Sequence, residues 1–588
     1  MRKYIVNGML VLGMVFSAIS CTELDLVQQD AANSENWYQT SDQFRQSINE
    51  GYREVFWPED VSLGGNGGWT DDWLRRDILD DITAGTVTSE YARSNSAWSI
   101  NYKGITRMLV VLEEIESQNG VLSEDEVNSF RAEINFLRAS YWSYLISHFG
   151  DVPFYENEVT VDESFQLPRT DKFEILQKIY EYYDDAAQNL PISRNGLEYA
   201  TRGAAYAMKA RIALYMGDFE TAAIAAKSCM DLGVYELYPD FAELFRSSTK
   251  NSIETVFHIP RSDALNVLRP DNLRDFLPRL HGGYAAKQPT WRLLAAFECI
   301  DGLPIDESPL FDPRNPFKNR DPRCKMTIVP FGSLEEGDGK VPADGSNFLN
   351  KEYNPHPERK QIMDYNTNTL IRNEDTRSLA RFASFNGLVW NKGTSEDWLD
   401  LRTDPDYLIM RYADVLLMYA EAKIELNQID QSVLDAMTAV RDRAYANSGI
   451  PAPEITTMDQ AELRLKIRNE RRMEFAFEGR RYMDLIRWRL AEKALSSSIV
   501  GMVLVDTDGD VSLPATGALM DNVVDPGLWF WGMTPEIDED GLPNFDALIN
   551  AGLAQIVNIR NFPERQYLWP IPAEDRLLNP NLTQNEGY

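Results

Sequence analysis

The sequence predicts a mainly α fold, in which helix pairs carry long ordered loops and a few small strands that form a ligand face. Three observations predict it. Apolar residues recur at three- and four-residue spacing through much of the chain. Alanine-rich helical patterns meet at tight turns such as Gly217-Asp218. The irregular stretches between helices, about 236–400 and 497–560, are rich in Pro, Gly, Asp and Asn, yet they hold the Trp and Tyr that disordered tracts lack.

The first twenty residues have the parts of an export signal. Arg2 and Lys3 supply positive charge, and Tyr4 to Phe16 is mostly apolar. That run is shorter than the roughly 20 residues a spanning helix needs. Small residues then precede Cys21, which resembles a bacterial lipobox whose cysteine takes a diacylglycerol and becomes the mature N-terminus. The alternative is an ordinary secretory signal that contains a cysteine. The acids Glu23 and Asp25 beside Cys21 suit export to the cell surface. The formal charge is −33, and loss of residues 1–20 removes two cations and no acid, leaving −35. So acidic a body repels nucleic acid and anionic lipid, so membrane attachment falls to the lipid on Cys21. The other cysteines, Cys229, Cys299 and Cys324, are scattered; Cys299 and Cys324 could pair, but buried free thiols suit the spacing better.

Along the chain, the spacing predicts a helix hairpin over 98–118 and 124–149, ended by Gly150 and Pro153, and a further helix over 172–190. Residues 201–233 resemble a tetratricopeptide repeat. Ala210 sits where the first helix must be small, Gly217 and Asp218 turn the chain, Phe219 fills the groove, and Ala222 lets the second helix approach. One such unit cannot bury its own face, so partners are expected at 407–446, with a turn near Asn427, and at 461–493. The expected division is a signal at 1–20, an N-terminal helical region at 21–235 and a C-terminal region at 236–588, packed together as one unit.

Six blocks occur in order: RAEINFLRASYWSYLISHFGDVPFY (131–155), FECIDGLPI (297–305), PFKNRDPRCKMTI (316–328), MRYADVLLMYAEA (410–422), RNERRMEFAFEGRRYMDLIRW (468–488) and YLWPIPAEDRLLNPNLTQNEGY (567–588). Together they resemble the SusD/RagB family of surface nutrient-binding lipoproteins. The resemblance implies a tetratricopeptide scaffold with a variable ligand face, an outer-membrane location, and a TonB-dependent, SusC-like transporter as partner, to which the family delivers glycans.

Two charged motifs invite chemistry. Glu470, Glu474 and Glu478 lie four apart, on one face if helical, with Arg471 and Arg481 three residues from an acid. They read as an ion-paired network tying helices together, against the alternative of an acid–base cluster. Asp506, Asp508 and Asp510 around Gly509 suggest a calcium cage, but no glutamate follows at the needed distance, and an Asp-Gly turn explains the same letters; residues 536–546 read likewise. No metal or cofactor is expected. HExxH, GxSxG and P-loop motifs are absent, although two carboxylates would suffice for a glycosidase.

The aromatics in polar sequence are the positive signal. Trp69 and Trp73 follow a glycine loop beside Asp71, Asp72, Arg75 and Arg76; Tyr284, Trp390, Trp398, Trp529 and Trp531 occupy later loops. A sugar offers an apolar C–H face and a rim of hydroxyls, which match flat rings and polar side chains respectively. Trp98 and Asn101 lie three apart with polar neighbours, and the resembling family places an aromatic and an Asn near this point of its glycan face. The expected ligand set is therefore Trp98, Asn101, Trp69, Trp73, Tyr284 and Trp390. Trp98 is expected to be exposed and to stack on a sugar ring, with Asn101 bonding its hydroxyls. The expected function is glycan capture without catalysis; a glycan-active hydrolase or a peptide binder are the alternatives.

If Cys21 carries the anchor, Cys21→Ala shifts the protein from the membrane fraction to the soluble one. Mass analysis of the wild type then finds the lipid on Cys21; an unmodified cysteine refutes the anchor.

Overall fold

The computed structural model describes residues 37–57, 67–76, 78–117, 120–193, 199–269, 273–331, 351–355, 360–365, 367–376, 386–394, 398, 402–502 and 532–588. Cys21, the Asp506–Asp510 loop, Trp529 and Trp531 lie outside them.

A stack of antiparallel helices forms the scaffold. After α1 (Ser41–Asn49) come α2 (Ala92–Ser117), α3 (Glu124–Phe149), α4 (Lys172–Asn189), α5 (Arg202–Tyr215) and α6 (Phe219–Met230). The stack continues with α7 (Tyr412–Glu425), α8 (Gln431–Tyr445) and α9 (Gln460–Glu474), followed by the short α10 (Arg481–Arg487) and α11 (Ala573–Leu578). From α1 to α9 each packs on its neighbour in the series, and α7 lies on α6 although Met230 ends one and Tyr412 begins the other.

Local chemistry starts and stops these helices. Ser123 and Glu126 form a capping box at α3, and Gly150, at φ 75°, ends it. Asp171 caps α4 and Thr201 caps α5. Gly217, at φ 79°, turns the chain, and Asp218 then caps α6 while accepting the Tyr180 hydroxyl at 3.1 Å. Ala204, Ala207, Ala210, Ala222 and Ala226 are fully buried, which allows α5 and α6 to approach closely. The repeat expected at 201–233 is thus present, and α7 and α8 repeat it across a turn with Asn427 at φ 54°.

Helix α2 begins six residues before the expected start. The polar SNS stretch (94–96) lies inside the helix, where Ser94 donates to the Tyr91 carbonyl at 2.9 Å and is buried. A small hydroxyl satisfied by its own helix backbone costs little inside a core.

Among the described residues the strands form five two-stranded antiparallel sheets. These pair β1 (Trp73–Arg75) with β3 (Lys287–Pro289), β2 (Thr255–Ile259) with β6 (Tyr407–Arg411), β4 (Gln361–Asp364) with β5 (Thr369–Arg372), β7 (Ile499–Gly501) with β10 (Gln555–Asn558), and β8 (Glu536–Ile537) with β9 (Pro543–Asn544). A second apolar core under the loops gathers Trp73, Phe276, Trp291, Trp390, Trp398 and Phe477. Cys229, Cys299 and Cys324 are buried free thiols. In the β8–β9 hairpin, the acids considered for calcium surround the Lys493 ammonium, with Asp538 at 3.1 Å and Glu539 at 3.2 Å.

A buried ion-pair network joins scaffold to loops. Arg323 spans Glu470 (2.6 Å) and Glu474 (3.0 Å). Arg411, where β6 enters α7, reaches Glu254 (2.7 Å), Glu474 (2.6 Å) and Glu478 (2.7 Å). Arg443 holds Glu254 and Glu474, and Arg441 holds Glu470 at 2.7 Å. The near-neighbour pairing expected from spacing does not form. Helix α9 ends at Glu474, and Phe477 and Gly479 take left-handed conformations. Arg471 turns to Asp484 (3.0 Å), and Arg481 to Asp71 (2.9 Å). Carboxylates with no exposure need several donors each, and only side chains converging from separate segments can supply them.

Burial acts to raise the Glu474 carboxyl, but Arg443, Arg411 and Arg323 hold it well below the usual range. Glu478 and Asp484 are likewise lowered against burial, by Arg411 with Lys392 and by Arg471 with Arg487. Burial pulls the Lys392 ammonium down to about 8 despite Glu478. Glu474→Gln leaves three arginines without their shared carboxylate, so it is expected to lower stability by about 3–5 kcal/mol in urea unfolding. Because these carboxyls are depressed in the folded state, their contribution is complete above the ordinary carboxylate value. It is lost as pH falls through the folded value. Unfolding free energy should therefore fall steeply below about pH 4, and less steeply in Glu474→Gln.

Candidate functional site

Residues 67–76 are held in place before they can form a site. Asp71 and Asp72 are buried against Arg472 at 2.9 Å each, and Asp71 also takes Arg481. The carbonyls of Asp71 and Asp72 accept from Thr290, by its hydroxyl at 2.5 Å and its N–H at 2.8 Å. Both acids, read from sequence as possible contacts to hydroxyls, are structural. Their pairing fixes the loop that carries Trp69 and Trp73.

That loop walls a cleft of about 820 Å³, larger than the groove of about 660 Å³ around Tyr52 and Tyr199. Trp69, Trp73 and Tyr91 supply its rings; Thr86, Thr88, Asp81 and Glu90 supply hydrogen-bonding groups; Ile78, half exposed, also lines it. Trp69 is 5% exposed, edge-on to Tyr482 (5.3 Å) and Trp569 (5.4 Å), with the Arg93 guanidinium 5.5 Å from its ring centre. Trp73 is 7% exposed, and the Lys287 ammonium stands 5.6 Å from its ring. The Tyr91 hydroxyl donates to Asp80 at 2.9 Å; burial and the Asp80 charge push it far above the ordinary phenol value. Asp80 also caps the one-turn helix Asp81–Ala84, and Thr86 donates to Asp81 at 2.6 Å. Arg560 closes the floor, donating to the carbonyls of Thr70 (2.6 Å) and Trp73 (3.2 Å).

Of the six expected ligand residues, the cleft brings together Trp69 and Trp73. Tyr284 is 39% exposed; its carbonyl accepts from Arg76 at 2.5 Å beside the β1–β3 pair. Trp69 and Trp73 border the cleft while belonging to the apolar cores, and the exposure expected of Trp98 is corrected, with Asn101 and Trp390 buried likewise. Trp98 is 4% exposed, packed on Tyr102 (4.9 Å) and Phe149 (5.1 Å), with its indole N–H bonded to Asp575. Asn101 is 1% exposed and donates to the Ala97 carbonyl at 2.8 Å. Trp390 is 1% exposed and stacked on Phe477, ring centres 4.0 Å apart. Polar neighbours misled the reading because α2 buries Ser94 and Asn101 along with its apolar face. Tyr91, Arg93, Lys287 and Arg560 were missed. Each sits in unremarkable sequence, and only folding brings positions 91, 93, 287 and 560 together.

The fold and the cleft define a class: a helical-repeat protein whose loops present an aromatic-lined surface cleft. The comparisons place it further. A model of the SusD family matches residues 254–588, and one described as starch-binding and associating with the outer membrane matches residues 68–214. The chain belongs to the SusD family. It is 22% identical over the full length of both chains to SusD-like protein P2 of Formosa agariphila. SusD-like protein P25 of the same organism is 23% identical, over 67% of this chain and 70% of that one. A SusD-like carbohydrate-binding protein of Bacteroides fragilis superposes with TM-score 0.72 at 25% identity, covering 93% of this chain and 99% of its own. A laminarin-binding SusD-like protein superposes with TM-score 0.58 at 18% identity, covering 94% and 100%.

Trp98 now has a structural expectation. Trp98→Ala should lower folding free energy by about 3–5 kcal/mol, the scale of a buried Trp cavity. A thermal melt unchanged from wild type would put the indole outside the core.

Proposed function

We propose that this protein captures a glycan in the cleft bounded by Trp69, Trp73 and Tyr91 and delivers it to a TonB-dependent, SusC-like outer-membrane transporter. The observation that carries the reading is the cleft itself, which sets aromatic rings among hydroxyl and charged groups. Rings suit the C–H face of a sugar, and hydroxyls, carboxylates and guanidinia suit its rim. The likeness to a carbohydrate-binding relative and the family description of starch binding at the outer membrane support it. Tyr284, near the β1–β3 pair, extends the same face. In this reading Cys21 is the lipid tether and the protein is surface-exposed. The regions 21–235 and 236–588 act as one unit that captures and hands over without catalysis.

A glycan array followed by titration tests the capture step. Ile78→Trp adds bulk on a half-exposed cleft residue without disturbing the core, so affinity should fall at least about tenfold with the melt unchanged. Unaltered affinity would move the site elsewhere. Turnover of labelled oligosaccharide separates a binder from a hydrolase, since a binder releases no product. Pull-down from membranes in mild detergent is expected to recover a large outer-membrane barrel; repeated recovery of this protein alone would refute the delivery step.

A further inference from the structure

We infer that residues 560–573 are the frame that sets the shape of the cleft, and that Arg560 and Gln566 are positioning residues for ligand capture; this rests on the reading of the cleft as the glycan site. Most of the cleft is lined by two stretches, 68–75 and 78–93. Among the described residues from Gly67 to Tyr91, the regular elements are a single 3-10 turn, the three-residue β1 and the one-turn helix Asp81–Ala84. Pieces this short do not hold a shape by themselves.

One later segment bonds to both stretches. Arg560, 3% exposed, forks to the carbonyls of Thr70 (2.6 Å) and Trp73 (3.2 Å) in the first. In the second, Gln566, 2% exposed, donates to the Ile82 carbonyl at 2.7 Å, and Arg565 donates to the Gly85 carbonyl at 2.9 Å. The backbone N–H groups of Asn561 and Ala573 donate to the carbonyls of Thr83 (2.8 Å) and Ser89 (3.0 Å). The Trp569 ring completes the bridge, edge-on to Trp69 at 5.4 Å and to Tyr91 at 6.3 Å. The segment is itself pinned to the scaffold. The Trp569 backbone N–H donates to the His148 carbonyl of α3 at 2.7 Å, and its indole N–H to the Tyr482 hydroxyl of α10 at 2.9 Å.

Each of the bonds from the segment to the cleft ends on a backbone carbonyl, so together they fix the path of the chain there. A guanidinium fork sets two carbonyls at once, which a single ammonium cannot do. A buried carbonyl that loses its donor is costly, so the loop moves to find another. Gly85, at φ 73°, shows how closely segment and cleft run: a Cβ there would stand 2.5 Å from Nδ2 of Asn561 and 3.0 Å from its carbonyl oxygen. Trp69 and Trp73 show only 5% and 7% of their surface. Binding groups need placement to within about 0.5 Å, so a small shift of either stretch changes what a ligand meets.

Hydrogen exchange on the full chain in mild detergent reads the frame without ligand. Arg560→Gln should raise exchange across 69–75 by about tenfold or more, and Gln566→Leu or Gly85→Ala across 82–89, with α4 to α6 unchanged. Affinity reads the positioning. On an array of neutral and charged oligosaccharides that includes maltoheptaose and laminariheptaose, the probe held most tightly by the wild type should bind Arg560→Gln at least about fivefold more weakly. Arg560→Lys, which keeps the charge and one of the two carbonyls, should fall between. Ala222→Gly, which weakens the scaffold helix α6, should leave affinity unchanged. If Arg560→Gln fails to fold, Gly85→Ala carries both readouts. Unaltered exchange in both stretches, or raised exchange with unaltered affinity, overturns the positioning role and leaves glycan capture standing. Failure of the wild type to bind any probe overturns both.

Discussion

Glu474 is the point on which the structure turns. Its carboxylate has no exposure, and three arginines from three distant segments meet it: Arg323 from the start of the short helix Arg323–Thr327, Arg411 from the end of β6 and Arg443 from α8. None of these charges could be buried alone. Buried together, they fix the end of α9 against the loop layer and against the β2–β6 pair that feeds α7. Replacing such a network by apolar residues can be neutral for stability, whereas removing one member strands the others. Its effect is therefore on geometry more than on net stability: it admits one arrangement of loops on scaffold.

The same logic reaches the cleft through Arg472 and Arg481. They lie at the end of α9 and the start of α10, and they clamp Asp71 and Asp72, some 400 residues earlier in the chain. Scaffold and cleft are thus mechanically continuous. The ring of Trp69 is held edge-on by Tyr482 and Trp569, so the C-terminal segment also shapes the site.

Much of the fold was legible. Helical spacing, Gly217-Asp218 and the alanines at 204–226 reported the repeats because these signals are local: a turn conformation and a small side chain act within a few residues. The cleft was legible only in part. Trp69 and Trp73, which a glycine loop and charged neighbours flag in the sequence, do border it. Trp98, Asn101 and Trp390 misled because polarity in sequence does not measure exposure. Asn101 satisfies its amide on its own helix, and Trp390 lies flat on Phe477 under a loop. The partners of Arg471 and Arg481 were misassigned for a related reason: spacing of three suggests a neighbour, but a fully buried charge takes whichever acid the fold brings within reach.

By itself, then, the sequence determined the class of fold, the repeat positions, the membership signalled by six ordered blocks and the structural character of the Glu470–Glu478 charges. Tertiary structure alone decided that Trp69 and Trp73, buried in the cores as Trp98 and Trp390 are, border a cleft, which carboxylate each buried arginine takes, and that Arg75, Arg93, Lys287 and Arg560 line that one cleft. The physical reason is range. Helix periodicity, caps and turns are set by contacts a few residues apart. Burial and charge pairing are set by contacts between segments hundreds of residues apart, which no local pattern encodes.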